Sequence, residues 1–360
     1  SYWERRARER EARWTKKCRD ELEKELARYY ASSLRSIEKD ILALYGTFAT
    51  DNGLDMQGAR KLLHGQEFRQ WRMGMQEYID EIHRLEKAGD IAKSEGLMRE
   101  INTLAMRSRI SRLDKLRSET LQEIDRLGRK VETRMGSFLA DAYRDNYYRN
   151  VFDIGKEAAF KGSFAKVDSK QVERVLGEPW SGKNYSQRIW KDMGKLEGTI
   201  QDVITQGVHR GVSSARMTKM VMERMNVSKS NAERLVRTEM CYVNNQAALD
   251  SIKDAGMLYF RFVAVMDSRT TPKCRGKDGE VFPVEDASPG ANVPPLHPRC
   301  RSTIVASIDD GGSGIRGRRI ARDKEGKNIR IPAEMRYQDW KAVYIDNSKT
   351  LAEWEKSLAN

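Results

Sequence analysis

Apolar positions in the first half of the chain recur at helical steps. No proline or glycine interrupts Tyr2 to Tyr45, and Leu22, Leu26, Tyr29, Leu34, Ile37, Ile41 and Leu44 lie mostly three or four residues apart. Acids and bases alternate between them, as in Glu21, Glu23, Lys24 and Glu25, so the stripe predicts a helix with a solvated outer face. Asp51-Asn52-Gly53 punctuates it. Helices are predicted from Met56 to Leu63 and from Gln66 to about Lys87, the second closed by Ala88-Gly89-Asp90. A longer seam follows between Ile91 and about Asp153, marked by Ile101, Leu104, Ile110, Leu113, Leu116, Leu121, Ile124, Leu127 and Val131. Gly96, Gly128 and Gly136 weaken that run without stopping it, so a long helical hairpin or bundle is predicted.

The pattern breaks over residues 161–184. Gly177 to Asn184 nearly spells a phosphate-binding loop, but Asn184 lacks the hydroxyl that holds magnesium, and the preceding Gln171–Leu176 reads as helix rather than strand. Helices resume over Tyr185–Gly207, Ser213–Met225 and Ser228 to about Ala255, with Ser213 and Ser228 as N-caps and Gly256 as the final stop. The junction at Gly211–Ser214 is a plain helical turn; its second helix is not basic enough to suggest base reading. Beyond it the periodicity changes. Leu258–Val265 is aromatic and β-branched and predicts a strand, with Val281–Pro283 and Thr303–Ala306 as short partners. Gly311–Gly314 reads as a linker, and Met335–Leu358, with Tyr337, Trp340, Val343 and Tyr344, as a docking helix. The fold class expected is mainly α: long helical hairpins or a bundle, then a small α+β knot with two or three short strands and a basic C-terminal arm. The segments expected are 1–160, an extended helical region; 161–255, a helical lead-in; 256–310, the knot; and 311–360, the arm and docking helix.

Composition narrows the classes. Hydrophobic residues are 39% and charged residues 33% of the 360, which implies much solvated helix. The net charge of +13 favours a polyanionic partner, double-stranded DNA above all. Arg316, Arg318, Arg319, Arg322, Lys324, Lys327 and Arg330 concentrate that charge in the arm and are the candidate nucleic-acid contacts. No run of eighteen apolar residues suggests a membrane span, and no signal peptide is read at the start. Four scattered cysteines (18, 241, 274 and 300) point to a reducing compartment rather than a disulfide scaffold.

The candidate chemistry lies between Asp267 and Arg301. Cys274, His297 and Cys300 fall in this proline-rich stretch, and thiolate and imidazole are the ligands zinc selects. No fourth ligand is evident, so zinc stands beside a plain knot with a buried histidine and two free cysteines. Arg237, Glu239, Asp267 and Arg269 bracket the stretch. They are expected to form structural ion pairs that tie helix to knot, with catalysis the lesser reading. No nucleophile elbow, H-E-x-x-H motif or deaminase signature is present, and no catalytic residue is assigned.

Arg237-Thr238-Glu239, Asp267-Ser268-Arg269-Thr270, Cys274, Asp278-Gly279, Phe282 and Pro294 to Arg301 occur in an order and spacing that resemble the phage Mu F-like head morphogenesis family. The core of the resemblance covers about 195 to 306, and Arg322-Asp323-Lys324 to Tyr337 is similar to longer minor capsid proteins of this kind. The family often carries further cysteines near Thr271 and Ser302, which here are Thr and Ser, so a disulfide between Cys274 and Cys300 stays open beside zinc, though zinc or no metal is favoured. The resemblance implies a minor head protein of a tailed bacteriophage or prophage. It would be assembled in the host cytoplasm, enter the procapsid with the portal, scaffold and major capsid proteins, and bind packaged DNA or affect its ejection. The alternative is a phage-carried zinc-dependent nuclease or toxin-like effector, since related domains are sometimes fused to toxins.

Overall fold

The computed structural model describes residues 2–52, 80–95, 97, 112–157, 166–210, 212–308, 318–325, 327–332, 335 and 337–358. The expected helix at 56–63 and the seam positions Ile101, Leu104 and Ile110 lie outside them. The helices are α1 (Tyr2–Lys17), α2 (Glu23–Asn52), α3 (Arg112–Glu157), α4 (Ser169–Gly177), α5 (Tyr185–His209) and α6 (Ser214–Asp254). A π-helical turn, Cys18–Leu22, joins α1 to α2. Residues 80–87 and 91–95 are also helical, with a turn at 88–89. The predominance of helix before a small antiparallel sheet matches the expected class.

The chain forms two compact units, neither of them one continuous stretch. One comprises Leu26–Val131 and Ile189–Asn231. Its core uses the predicted stripes: Leu26, Ile37 and Ile41 of α2 and Leu116, Ile124, Leu127 and Val131 of α3 are buried. Gly128 has a packing reason to be glycine, because a Cβ there would lie 2.8 Å from the Trp190 ring. The expected break before Ser228 does not occur, and α6 runs unbroken through it. No glycine or proline stands there to stop a helix, and the Ser228 hydroxyl serves side chains instead, donating to Asp192 at 2.6 Å and meeting the Tyr30 hydroxyl at 2.9 Å. Ser213 does cap α6, accepting from the Arg216 amide at 3.3 Å.

The other unit comprises Ser1–Glu25, Glu132–Arg188 and Ala232–Asn360. In it α6 ends in a Schellman turn: Gly256, at φ +68°, donates to Lys253, and Met257 donates back to Ile252 at 3.1 Å. Strands β1 (Tyr259–Val263), β2 (Val281–Pro283) and β3 (Thr303–Ser307) form an antiparallel sheet in the order β2-β1-β3, with Phe260 opposite Phe282 and Ala306. A five-residue helix, α7 (Pro272–Gly276), sits between β1 and β2. Trp3 and Ala7 of α1 and Leu249 and Ile252 of α6 pack with Phe260 and Ile304, so two helices cover the sheet. The near match to a phosphate-binding loop follows α4, a helix capped by Asp168, and so lacks the strand such a loop requires.

Two expectations for the C-terminal region need correction. The basic stretch is not a free arm: β4 (Arg318–Arg322) and β5 (Asn328–Pro332) pair as an antiparallel hairpin. Alternation explains it, since Ala321 and Ile331 are buried in a cluster with Trp340, Trp354 and Met266. The single docking helix is instead α8 (Tyr337–Trp340), a π-helical turn Lys341–Ile345, and α9 (Leu351–Leu358). Thr350 starts α9 with a capping box, its hydroxyl accepting from the Glu353 amide at 3.2 Å and its amide donating to the Glu353 carboxylate at 2.7 Å.

One buried carboxylate fixes α1 on α3. Asp153 accepts from Tyr2 (3.1 Å), Arg6 (3.1 Å) and Arg10, while Arg10 also reaches Asn150. Burial pulls the Arg10 guanidinium down to about 10 against the pull of Asp153. Asp153→Ala strands a buried arginine and is expected to cost on the order of 3–5 kcal/mol. Arg6→Ala, at a half-exposed guanidinium, should cost far less. Denaturant unfolding of both variants checks the order, and equal losses would refute it.

Candidate metal centre and its arginine-lined cleft

Cys274, His297 and Cys300 converge, one from α7 and two from the loop before β3. Their ligand atoms all lie within 4.8 Å of one another. Cys274 Sγ is 3.3 Å from His297 Nε2 and 3.7 Å from Cys300 Sγ. Tetrahedral zinc with Zn–S near 2.3 Å separates its ligand atoms by roughly 3.3–3.8 Å, so this donor set fits. His297 Nδ1 faces the Pro298 carbonyl at 2.9 Å, and a carbonyl only accepts, so the proton sits on Nδ1. In the neutral ring Nε2 then presents its lone pair to the sulfurs, the orientation a ligating histidine needs. All four cysteines of the chain are free thiols.

A third sulfur belongs to the cluster. Cys241 on α6 packs with Cys274, Cys300, Phe262 and Leu296 in one buried apolar shell. Its thiol contacts Cys300 and the Ser302 carbonyl, the latter at 3.7 Å. Hydrogen bonding from Cys241 and then Cys274 draws the Cys300 thiol below its ordinary range, against the effect of burial. Cys241 and Cys274 are pushed up, first by donating to Cys300 and then by burial. His297 is raised by the same neighbour. Cys241 lies 33 residues before Cys274 in an otherwise ordinary helix, and only its place one turn before Asn245 could have flagged it.

The four charged residues expected to pair among themselves do not. Arg237 clasps Glu23 with both nitrogens, one at 3.0 Å. The buried Glu239 accepts from Trp180 Nε1 at 3.0 Å and lies 3.6 Å from Arg188 Nε. Asp267 receives a two-pronged fork from Arg301 at 2.6 and 2.7 Å. Arg269 gives Asp267 its backbone amide at 3.0 Å while its side chain is exposed. The physical reason is local: Arg301 follows Cys300 directly and reaches the Asp267 turn, whereas Arg237 lies on the helix face nearer Glu23. Of the basic residues expected to meet nucleic acid, Lys324, Lys327 and Arg330 are exposed on the hairpin. Arg318, Arg319 and Arg322 lie on β4, and Arg316 falls outside the described residues.

The three converging ligands open onto a cleft of about 360 Å³, whose rim carries Arg237, Arg269, Arg299 and Arg301 together with Glu11. Arg299 stands at φ +58° with its amide held by the Thr238 hydroxyl at 3.1 Å. No helix among the described residues is long and apolar enough to cross a membrane.

Comparison with known proteins places this region. Residues 198–305, which contain the whole cluster, match the family described as Phage Mu protein F like protein. Among curated proteins the chain is similar to the NAD(+)–arginine ADP-ribosyltransferase EFV of Enterococcus faecalis, 22% identical over 236 residues. The alignment covers 61% of this chain and 47% of that protein, so the chain spans about half the length of its relative. No solved structure matches.

The Arg301 fork gives a pH test. Burial alone would raise the Asp267 carboxyl, but Arg301, Thr270 and the Arg269 amide hold it below its ordinary value. A depressed carboxyl stabilises the fold above its unfolded pKa, near 4, and that stability is lost as pH falls through the lower folded value. Wild-type protein should therefore lose more stability than Asp267→Asn between about pH 5 and pH 2. Parallel unfolding curves over that range would remove the fork as a stabilising contact.

Proposed function

We propose that this protein is a minor head protein of a tailed phage or prophage that enters the procapsid with the portal, scaffold and major capsid proteins and touches the packaged DNA. The phage Mu F-like match over residues 198–305 is the observation that carries this reading. The +13 charge and the exposed Lys324, Lys327 and Arg330 support the DNA contact, because exposed cations on a hairpin neutralise phosphates without reading bases. The proposed role is architectural and needs no catalysis. Zinc held by Cys274, His297 and Cys300 would cross-link α7 to the loop before β3.

A second reading, an effector carried with the head, is favoured by the similarity to a relative named as an ADP-ribosyltransferase. Sedimentation of lysate separates the two. A head protein travels with procapsids and portal, and an effector whose action lies elsewhere stays in the soluble fraction. The DNA contact has its own test. Binding to duplex DNA should be independent of sequence and fall steeply with salt. Neutralising Lys324, Lys327 and Arg330 together should reduce the slope by about 0.9 per lost phosphate contact. An unchanged slope would move the contact elsewhere on the chain.

A further inference from the structure

We infer that the Cys274–His297–Cys300 centre is an open site, whose fourth coordination position faces the arginine-lined cleft and takes a phosphate-type oxygen from outside the chain. This inference rests on the zinc reading above and extends it. The three ligand residues all line the cleft, the two cysteines buried and His297 partly exposed, so the approach to the cluster is from the cleft. A closed structural site would need a fourth protein ligand, whereas three protein ligands with a free position is the arrangement that accepts an exogenous donor.

The one further cysteine packed against the site among the described residues is Cys241, and its placement argues against its closing the site. It is not among the atoms that lie mutually within 4.8 Å. Its thiol is turned to the Ser302 carbonyl and to Asn245 Nδ2, the latter at 3.5 Å. It lines a small internal pocket, with Arg10 and Asn150, in which neither Cys274 nor His297 takes part. Cys300 borders both spaces, so Cys241 sits behind it, away from the cleft. Cys241 thus supports the Cys300 sulfur from the second layer and leaves the outward position open.

The cleft supplies the other half of the recognition. Arg301 is committed to Asp267 and Arg237 to Glu23, while the exposed Arg269 and Arg299 stand on the same rim. A guanidinium beside a metal matches a phosphate-type oxyanion, since one non-bridging oxygen can meet the cation while the guanidinium donates to another. Two sources share this chemistry: free phosphate and the phosphodiester of DNA.

Cobalt(II) loaded into the full-length protein reports the coordination sphere through its visible bands and its thiolate charge transfer. The expected result is one cobalt per chain, charge transfer from two thiolates, and visible bands that shift saturably with inorganic phosphate. Arg269→Ala combined with Arg299→Ala should weaken the phosphate response roughly tenfold while leaving cobalt stoichiometry unchanged. A short DNA duplex that produces the same shift identifies the phosphodiester as the source, and a shift with phosphate alone identifies a free oxyanion. Spectra indifferent to both would overturn the inference. So would charge transfer from three thiolates that falls to two in Cys241→Ser, because Cys241 would then close the site. Failure to bind cobalt or zinc at all would overturn the metal reading itself, a separate and recognisable result.

Discussion

A three-stranded sheet with one strand of only three residues depends on having its edge satisfied, and in this protein one buried amide does it. Strand β3 lies at the edge of the order β2-β1-β3, so its outward backbone groups have no strand to meet. Asn245 of α6 meets those where the strand begins, accepting from the Ile304 amide at 2.9 Å and donating to the Ser302 carbonyl at 3.3 Å. Its Nδ2 is also anchored to its own helix through the Cys241 carbonyl at 2.8 Å. Leaving such backbone groups buried and unpaired would cost about 1–3 kcal/mol each, a large share of what so small a sheet can supply. The consequence reaches the cluster: with Ser302 and Ile304 fixed to α6, Cys300 and Arg301 just before them are placed by the helix rather than by the loop.

Three carboxylates of the same unit are held by arginine, while the buried Asp250 takes Tyr143 and Gln246 instead. Asp153 has Arg10, Asp267 has Arg301 and Glu23 has Arg237. Such pairs add little net stability over apolar replacements, because desolvation offsets most of the attraction. What they contribute is placement: a planar fork on a carboxylate tolerates one geometry. Glu239 is the weaker case. Burial raises its pKa, with Trp180 and then Arg188 opposing, and the nearest guanidinium nitrogen is 3.6 Å away.

Legibility in the sequence followed the range of the interactions. The seam Leu113 to Val131 and the stop at Gly256 were readable, because periodicity and a left-handed glycine act within a few residues. Cys274, His297 and Cys300 were readable as a group because their types are scarce and their stretch is short. The pairing of Asp267 with Arg301 was not, since Arg261, Arg269 and Arg275 all lie nearer in sequence and only the fold brings the distant arginine in. Cys241 and Asn245 were hidden for a related reason: on a helix they look like any buried i, i+4 pair. The hairpin β4–β5 was masked by charge. Its arginines suggested a free arm, while the alternation that folds it, with Ala321 and Ile331 inward, spans only five residues per strand.

The thinness of the knot explains why a metal would matter here. Cys274 and Cys300 bracket a long connection in which only Val281–Pro283 is strand, and ordering it costs conformational entropy that its few apolar contacts, chiefly Phe282 and Val293, must offset. By the usual loop-closure relation, a cross-link across about 25 residues removes on the order of 3–4 kcal/mol of unfolded-state freedom. A disulfide and a shared metal ion both supply that, but they place the sulfurs differently: a disulfide brings them to about 2.05 Å, a tetrahedral metal to roughly 3.7 Å. The 3.7 Å between Cys274 and Cys300, with His297 Nε2 at 3.3 Å, is a contact between free thiols that leaves room for the second geometry. A site of that kind ties the connection down and still keeps a face toward the cleft, which a disulfide would not offer.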